Sequence, residues 1–392
     1  MNAAPTFESV LAPPVKRPIP RTVRFGLLST YPPTPCRLAN YSSALFGALS
    51  ARGSQVSVVR VADGSQSSDA RIVGELVNGS ARSAAHCVDS LNHSDVAVIQ
   101  HDYGVYGGAH GDGLLDVIDG LRVPTVAVAH TILKNPAPHQ RWVMERMAAT
   151  IDRMVVMSEA ARERLCREYG VDRRKVVTIP YGAVLPTGPR AKRGSRPTIL
   201  TCGLLGPGKG VERVIDVMSS LQSVPGHPRY VVAGRTHPKV LARDGEAYRE
   251  ARIEQARRLG VADSVTFEDR HLDRASLAAL FQAAAVIVLP YDSTDQVTSG
   301  ALVDAVASGR PVVATAFPHA VEVLRDGAGI LVPHDDPEAL SCALRRVLTQ
   351  PRLAGSLAAE ARQLAPAMAW PVVADTYLEL AARLLTERQL RV

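Results

Sequence analysis

The sequence predicts an α/β protein built from two doubly wound parallel-sheet domains. Four observations carry this expectation. At 392 residues the chain is too long for one ordinary domain and suits two. Short Val- and Ile-rich runs alternate with stretches of helical periodicity, the rhythm of βαβ units. That rhythm stops once, in a Gly, Pro and basic segment, and then begins again. Aromatic residues make up only 5% of the chain, which fits helices on parallel strands better than a β-sandwich. Two such Rossmann-like domains would face each other across a cleft, with ligands held outside the carboxyl ends of the strands.

The first strand is Val23 to Thr30, which runs into the turn-rich YPPTPC. Ala44, Leu45, Ala48 and Leu49 then fall at helical spacing between about Asn40 and Arg52, and Gly53 stops that helix before the strand QVSVVRV. Further strands are expected at Val96–Gln100, Pro124–His130, Arg153–Ser158 and Lys175–Pro180, with helices at His139–Ala149 and Glu159–Tyr169. The segment YGAVLPTGPRAKRGSRP lacks periodicity and reads as a linker. After it come TILTCGL, RYVVAG, SVTFED, AVIVLP, RPVVAT and GILVP as strands. The helices between them include VERVIDVMSSLQ, Tyr248–Leu259, Arg274–Ala285 and Gly300–Ser308. The expected organisation is an arm over residues 1–21, a first domain over 22–184, a second over 185–366, and a closing helix over 367–392 that crosses back to the first domain.

Composition narrows the function classes. The 45 basic and 38 acidic side chains leave a net charge of +7, which favours anionic partners. The excess is diffuse, without the basic clusters and interleaved aromatics of a nucleic-acid binder, so no nucleic-acid partner is expected. The five cysteines are scattered without metal or disulfide spacing and read as reduced, mostly buried thiols. No apolar run approaches the roughly 20 residues that cross a bilayer. The Pro-rich start makes a poor signal peptide, so a cytoplasmic location is expected, with room for peripheral contact with a membrane.

The loops after the strands carry the chemistry. In GLLGPGKGVERV, Gly203 and Gly208 let backbone amides approach an anion, and Lys209 adds a full charge at a helix start. No Ser or Thr follows that lysine, so it is not a Walker loop, and a tight βα turn with a solvated lysine explains the same residues. In PYDSTDQVTSGALVDAV, Thr298, Ser299 and Gly300 stand where a helix N-terminus would meet an anion. Asp304, one turn further, could take hydrogen bonds from paired ribose hydroxyls or simply complement the helix dipole. His101, Asp102 and Tyr103 follow one strand, His130 another, and Arg235 a third. A histidine at a strand end is more often structural than catalytic, but several polar residues at strand C-termini together point to a site. Asp335 and Asp336 read as a turn and helix cap, and no metal-ligand spacing is present.

Taken in order, STYPPTPCRLANYSSAL, HTIL, VVMSEAARERL, VVTIPYGA, CGLLGPGKG, VVAG and SGALVDAVASGRPVVAT resemble bacterial retaining glycosyltransferases of family four, which have the GT-B fold. The resemblance runs from Val23 to about Leu385. It implies transfer of a hexose from a UDP- or GDP-linked donor to a hydroxyl acceptor, with retained anomeric configuration, no metal and no other cofactor. The acceptor would be a saccharide, a lipid-linked sugar or a small molecule. By the same resemblance His130 lies near the transferred sugar, Lys209 holds the diphosphate, and Gln296 occupies the place of the family's first glutamate. Asp304 takes the place of the second, which binds ribose, and Arg270, His271 and Leu272 lie near the base. The segment Cys36 to Asn40, with Arg37 and Asn40, lines the diphosphate and acceptor side.

The chain departs from that pattern at several points. Leu204 replaces an arginine, with Arg235 as the candidate substitute; Gln296 and Asp304 replace glutamates; Arg37-Leu38 replaces a glycine pair; and Tyr181 replaces a polar residue. Two rival functions follow: a nucleotide-sugar binder that has lost transfer, and a nucleotide-sugar epimerase of the same architecture. A nicotinamide dehydrogenase is disfavoured, because no strand leads into a G-x-G-x-x-G turn followed by an acid some 20 residues on.

Overall fold

Strands buried on both faces need helices on both sides, and this chain supplies them. All six residues of β4 (Val96–His101) and all five of β5 (Thr125–Ala129) are buried, as is β1 (Arg24–Ser29) beyond its first residue. The computed structural model describes residues 22–187, 196–269 and 274–390. They divide into two units: one takes the chain up to Met157, Arg162–Gly182 and the stretch from Trp370 onward, and the other takes Ser158–Ala161 and Ala183–Ala369.

In the first unit β2 (Gln55–Val61), β3 (Ile72–Leu76), β6 (Arg153–Val156) and β7 (Val176–Thr178) complete a parallel sheet of order β3-β2-β1-β4-β5-β6-β7. Gly26 of β1 lies opposite both Ser57 and Ala97, which sets the register across the middle of that sheet. Its helices are α1 (Arg37–Ala51), α2 (Ala81–Asn92), α3 (Gly113–Gly120), α4 (Pro138–Thr150) and α5 (Glu159–Glu168), whose first turn belongs to the second unit. The strand β3 and helices α2 and α3 stand beyond the elements expected from periodicity. Strand β3 alternates half-buried and exposed positions and buries only Leu76, and α2 buries only Cys87 and Leu91, so their apolar signals are thin.

Helix α1 starts three residues before the position its apolar spacing indicated. Cys36 accepts a hydrogen bond from the Ala39 amide through Sγ at 3.3 Å and so caps the helix. Arg37 and Asn40 consequently sit on the first turn of a helix, not in a loop, and both are exposed.

The second unit has the parallel order β10-β9-β8-β11-β12-β13, with β8 (Thr198–Cys202), β9 (Arg229–Ala233), β10 (Val265–Glu268), β11 (Val286–Leu289), β12 (Val312–Thr315) and β13 (Gly329–Val332). Helices α6 (Val211–Leu221), α7 (Pro238–Asp244), α8 (Ala247–Arg258), α9 (Arg274–Ala283), α10 (Gly300–Ala307), α11 (Pro318–Leu324), α12 (Pro337–Thr349) and α13 (Pro351–Leu364) follow. The Asp336 carboxylate caps α12 by accepting from the Ala339 amide at 2.8 Å, as its sequence pattern suggested. All five cysteines are free, but only Cys87 and Cys202 are buried, fewer than expected; Cys342 is exposed. No helix among the described residues is long and apolar enough to cross a membrane.

The last helix, α14 (Trp370–Gln389), packs into the first unit beside α1. Val373, Ala374, Tyr377, Leu380 and Leu384 join its core. Polar contacts fix the helix at three heights: Tyr377 to the Tyr41 hydroxyl at 3.3 Å, Asp375 to Arg52 at 2.8 Å, and Glu387 to Arg153 at 2.7 Å. Gly182 lies flat against the Trp370 indole, where a Cβ would approach Cε3 to 2.3 Å. Gly182→Ala should therefore lower stability by about 1–3 kcal/mol through overpacking. Gly47→Ala, inside α1 with open space around the added carbon, should raise it by about 0.5–1 kcal/mol. Urea unfolding of both variants checks the opposite signs.

Candidate functional site

A parallel sheet has a crevice where neighbouring strands send their chains to opposite faces. In the first unit that point lies between β1 and β4, which pair in the sheet although two strands separate them in sequence. Tyr106 closes its floor: its hydroxyl lies 2.8 Å from the Gln100 carbonyl oxygen and 3.3 Å from that of Leu28, so it links the two strands. Nothing in the periodicity marks Tyr106, which follows the polar run His101-Asp102-Tyr103 in a glycine-rich loop.

His101 ends β4 fully buried, and neither ring nitrogen has a hydrogen-bond partner. Burial pushes its pKa down to about 4. Tyr103 packs edge-on against that imidazole at 5.1 Å and reaches the Gln140 carbonyl at 3.5 Å. Asp102 accepts from the Thr131 hydroxyl at 3.2 Å. His130 follows β5, and its amide donates to the His101 carbonyl at 3.1 Å, which brings the two histidines to one edge. Its Nε2 lies 2.7 Å from Gln100 Oε1, and the Tyr41 ring stands perpendicular to it at 4.9 Å. Burial, then the charge of Arg37, then His101 push the His130 pKa down to about 3. The fold thus gathers His101, Asp102, Tyr103, His130 and the charge of Arg37; Asn40 remains exposed on α1. Tyr181, one of the departures noted above, packs against Tyr41 at 4.9 Å and backs the ring that supports His130.

In the second unit the corresponding point lies between β8 and β11, and their loops meet there. The Asp292 amide donates to the Gly208 carbonyl at 3.1 Å, and Arg213 of α6 holds the Asp292 carboxylate at 2.9 Å. Gly210 adopts φ +64° and lies so close to Pro290 that a Cβ would meet its carbonyl oxygen at 1.7 Å. Only glycine allows this approach. Lys209 Nζ sits 4.4 Å above the Tyr291 ring, a cation–π contact. Tyr291 is buried and stacks on Phe317 at 5.2 Å. Gly203 and Gly208 are exposed at the turn. Arg235 is exposed too, and its carbonyl accepts from the Leu205 amide at 2.8 Å.

Helix α10 begins at the end of the post-β11 loop. Ser299 is fully occupied with structure: its hydroxyl caps the Leu302 amide at 3.2 Å, and its own amide donates to His319 Nδ1 at 2.8 Å. Amides at the start of an α-helix have no intrahelical acceptor, so Gly300 and Ala301 are the groups left to meet an anion. The His319 amide in turn donates to the Gln296 carbonyl at 3.2 Å, and the Gln296 side chain donates to the Thr298 carbonyl at 3.0 Å. Gln296 and Ser299 therefore shape the loop. Asp304 is half-buried on α10, one turn inside. Arg270, His271 and Leu272 lie outside the described residues.

Comparison with known proteins agrees with this geometry in both halves. Residues 38–185 match the family model described as Glycosyltransferase Family 4, and residues 196–350 match that described as Glycosyl transferases group 1. The chain belongs to the family-four glycosyltransferases. Relatives include proteins named D-inositol 3-phosphate glycosyltransferase. That from Segniliparus rotundus is 28% identical over 66% of this chain and 61% of its own length. That from Rhodococcus jostii is 29% identical over 71% and 67%. The matched stretch thus spans about two thirds of these relatives.

Solved structures show the same GT-B fold. A glycosyltransferase from Rickettsia africae superposes with a TM-score of 0.73 at 14% identity, covering 93% of this chain and 99% of its own. The Anabaena protein HepE, in complex with UDP-glucose, superposes at 0.69 with 15% identity, covering 92% and 100%.

Two buried histidines, His101 and His319, and the half-buried His130 tie this glycosyltransferase's stability to pH. His101, His130 and His319 have pKa values pushed down to about 4, 3 and 4, below the ordinary 6.5. The unfolded chain therefore binds more protons than the fold below that value. Stability is complete above about pH 6.5 and is lost as pH falls through about 4. For His101 alone the loss is on the order of 3 kcal/mol. The thermal midpoint should fall across that window, and His101→Phe should flatten the fall.

Proposed function

We propose that this glycosyltransferase moves a hexose from a UDP- or GDP-linked donor to a hydroxyl acceptor, with retention of configuration and without a metal. The observation that carries the reading is the meeting of the two loops at the β8/β11 crevice. One brings Lys209, and the other ends in the N-terminus of α10. Together they provide a cation and helix amides for a diphosphate, the group on which charge develops as the sugar leaves. Asp304, one turn further along α10, suits the donor's ribose hydroxyls.

In this mechanism the bond from the anomeric carbon to the donor's phosphate oxygen breaks, and its electron pair stays on the phosphate. The acceptor oxygen bonds to the same face of the anomeric carbon and passes its proton to the departing phosphate. Lys209 and the Gly300 and Ala301 amides stabilise that phosphate. His130, held neutral, lies against the transferred sugar. The relatives' name joins sugar transfer to a phosphorylated polyol, which favours a small hydroxylated acceptor. The charge of Arg37 would suit an acceptor phosphate.

A thermal-shift panel of UDP-, GDP-, ADP- and TDP-sugars, with and without Mg²⁺, is expected to show one base preferred and no effect of the metal. Lys209→Ala should lower turnover by about two orders of magnitude while the protein stays folded. Wild-type turnover in that variant would remove Lys209 from the mechanism. Binding of a sugar nucleotide with no transfer to any acceptor would favour a binding protein.

A further inference from the structure

Gln100 is a polar residue in a place built for apolar ones. It follows Val96, Ala97, Val98 and Ile99 on β4 and is fully buried. Its amide nitrogen has no hydrogen-bond partner, yet its Oε1 lies 2.7 Å from His130 Nε2. An apolar side chain would fill the same volume without stranding a buried N–H group. The polar choice therefore serves the histidine.

A carboxamide oxygen can only accept, so the hydrogen of this bond belongs to His130 Nε2. The ring is neutral, and a neutral imidazole carries one proton. With that proton on Nε2, Nδ1 is left with a lone pair. A carboxylate at position 100 would also hold Nε2–H, but it would draw a second proton onto the ring. An amide selects the tautomer and leaves the ring uncharged.

We propose that Gln100 is a positioning residue that fixes His130 as the neutral Nε2–H tautomer, so that Nδ1 accepts a hydrogen bond from a hydroxyl of the substrate. This assignment rests on the reading that His130 lies against the transferred sugar. The surrounding groups act in the same direction. Arg37 from α1 opposes a positive charge on the ring, as His101 from β4 does once it is itself protonated, and the Tyr41 ring, backed by Tyr181, stands edge-on to it. Asp102, the one carboxylate of this loop cluster, is engaged by the Thr131 hydroxyl. The His130 amide is tied to the His101 carbonyl, so the backbone cannot carry the ring away from Gln100.

The test is nitrogen NMR on protein labelled with ¹⁵N-histidine, with the His130 signals assigned by their loss in His130→Asn. Wild-type protein should show His130 neutral and protonated on Nε2 from about pH 5 to 8, the range in which an ordinary histidine titrates. Gln100→Met, which keeps the length and removes the acceptor, should give a mixture of tautomers. It should also lower kcat about tenfold with little change in donor KM. Gln100→Glu should raise the ring's pKa into the measured range and add an acidic limb to the pH profile of kcat. An Nδ1–H or charged ring in the wild type would overturn the proposal. So would an unchanged tautomer with unchanged kcat in Gln100→Met. If the tautomers behave as expected but no sugar nucleotide is turned over, the proposed function fails and the positioning by Gln100 stands.

Discussion

The groups placed here as ligand contacts hang from one constraint, the divergence of two paired parallel strands. At the β1/β4 and β8/β11 junctions the chain leaves neighbouring strands toward opposite faces of the sheet, and the backbone at the strand ends must be satisfied without a covering helix. The first unit meets this demand with the Tyr106 hydroxyl, which joins the Leu28 and Gln100 carbonyls. The second meets it by pressing Gly210 against Pro290 and bonding the Asp292 amide to Gly208. Those contacts fix the angles at which the loops emerge, and so the places of His130 and Lys209.

The two junctions differ in their chemistry. Around His130 the surroundings are aromatic and the histidines are neutral, which suits hydroxyl groups. Around Lys209 and the start of α10 there are a cation and helix amides, which suits phosphate. In both, a layer of residues that need touch no ligand holds those that would. Tyr291 on Phe317 seats Lys209, His319 takes the Ser299 amide, and Tyr41 on Tyr377 steadies His130. Replacing this supporting layer should change geometry before it changes charge.

The fold was legible because buried parallel strands advertise themselves. VAVIQ and VIVL are nearly pure β-branched or apolar runs, and the restart of the rhythm after the Gly- and Pro-rich segment announced a second unit. Legibility failed where burial is partial. Strand β3 and helix α2 bury too few residues to leave a period, and the Cys36 cap moved the start of α1 because a thiol is not an expected capping group. Among the candidate site residues, those on the Gly-rich turn and at strand ends are singled out by their place in the pattern, with their roles left to the family resemblance. The supporting residues Tyr106, His319 and Tyr291 are not, since each acts on a group far away in sequence or through a backbone atom.

Ser299 shows why motif position and chemical role separate. Its place before α10 suggests an anion contact, yet its hydroxyl and its amide are both engaged in holding the helix start, which leaves the Gly300 and Ala301 amides as the candidate contacts. The same separation explains how the chain can depart from its family at Gln296. That side chain bonds within its own loop, to the carbonyl of Thr298, so its contribution is to the shape of the α10 entrance. Where the proposed anion contacts are backbone amides, the surrounding side chains are free to vary so long as the loop is held. A cation such as Lys209 has no backbone substitute, which is why the sequence carries more information about the phosphate than about the sugar.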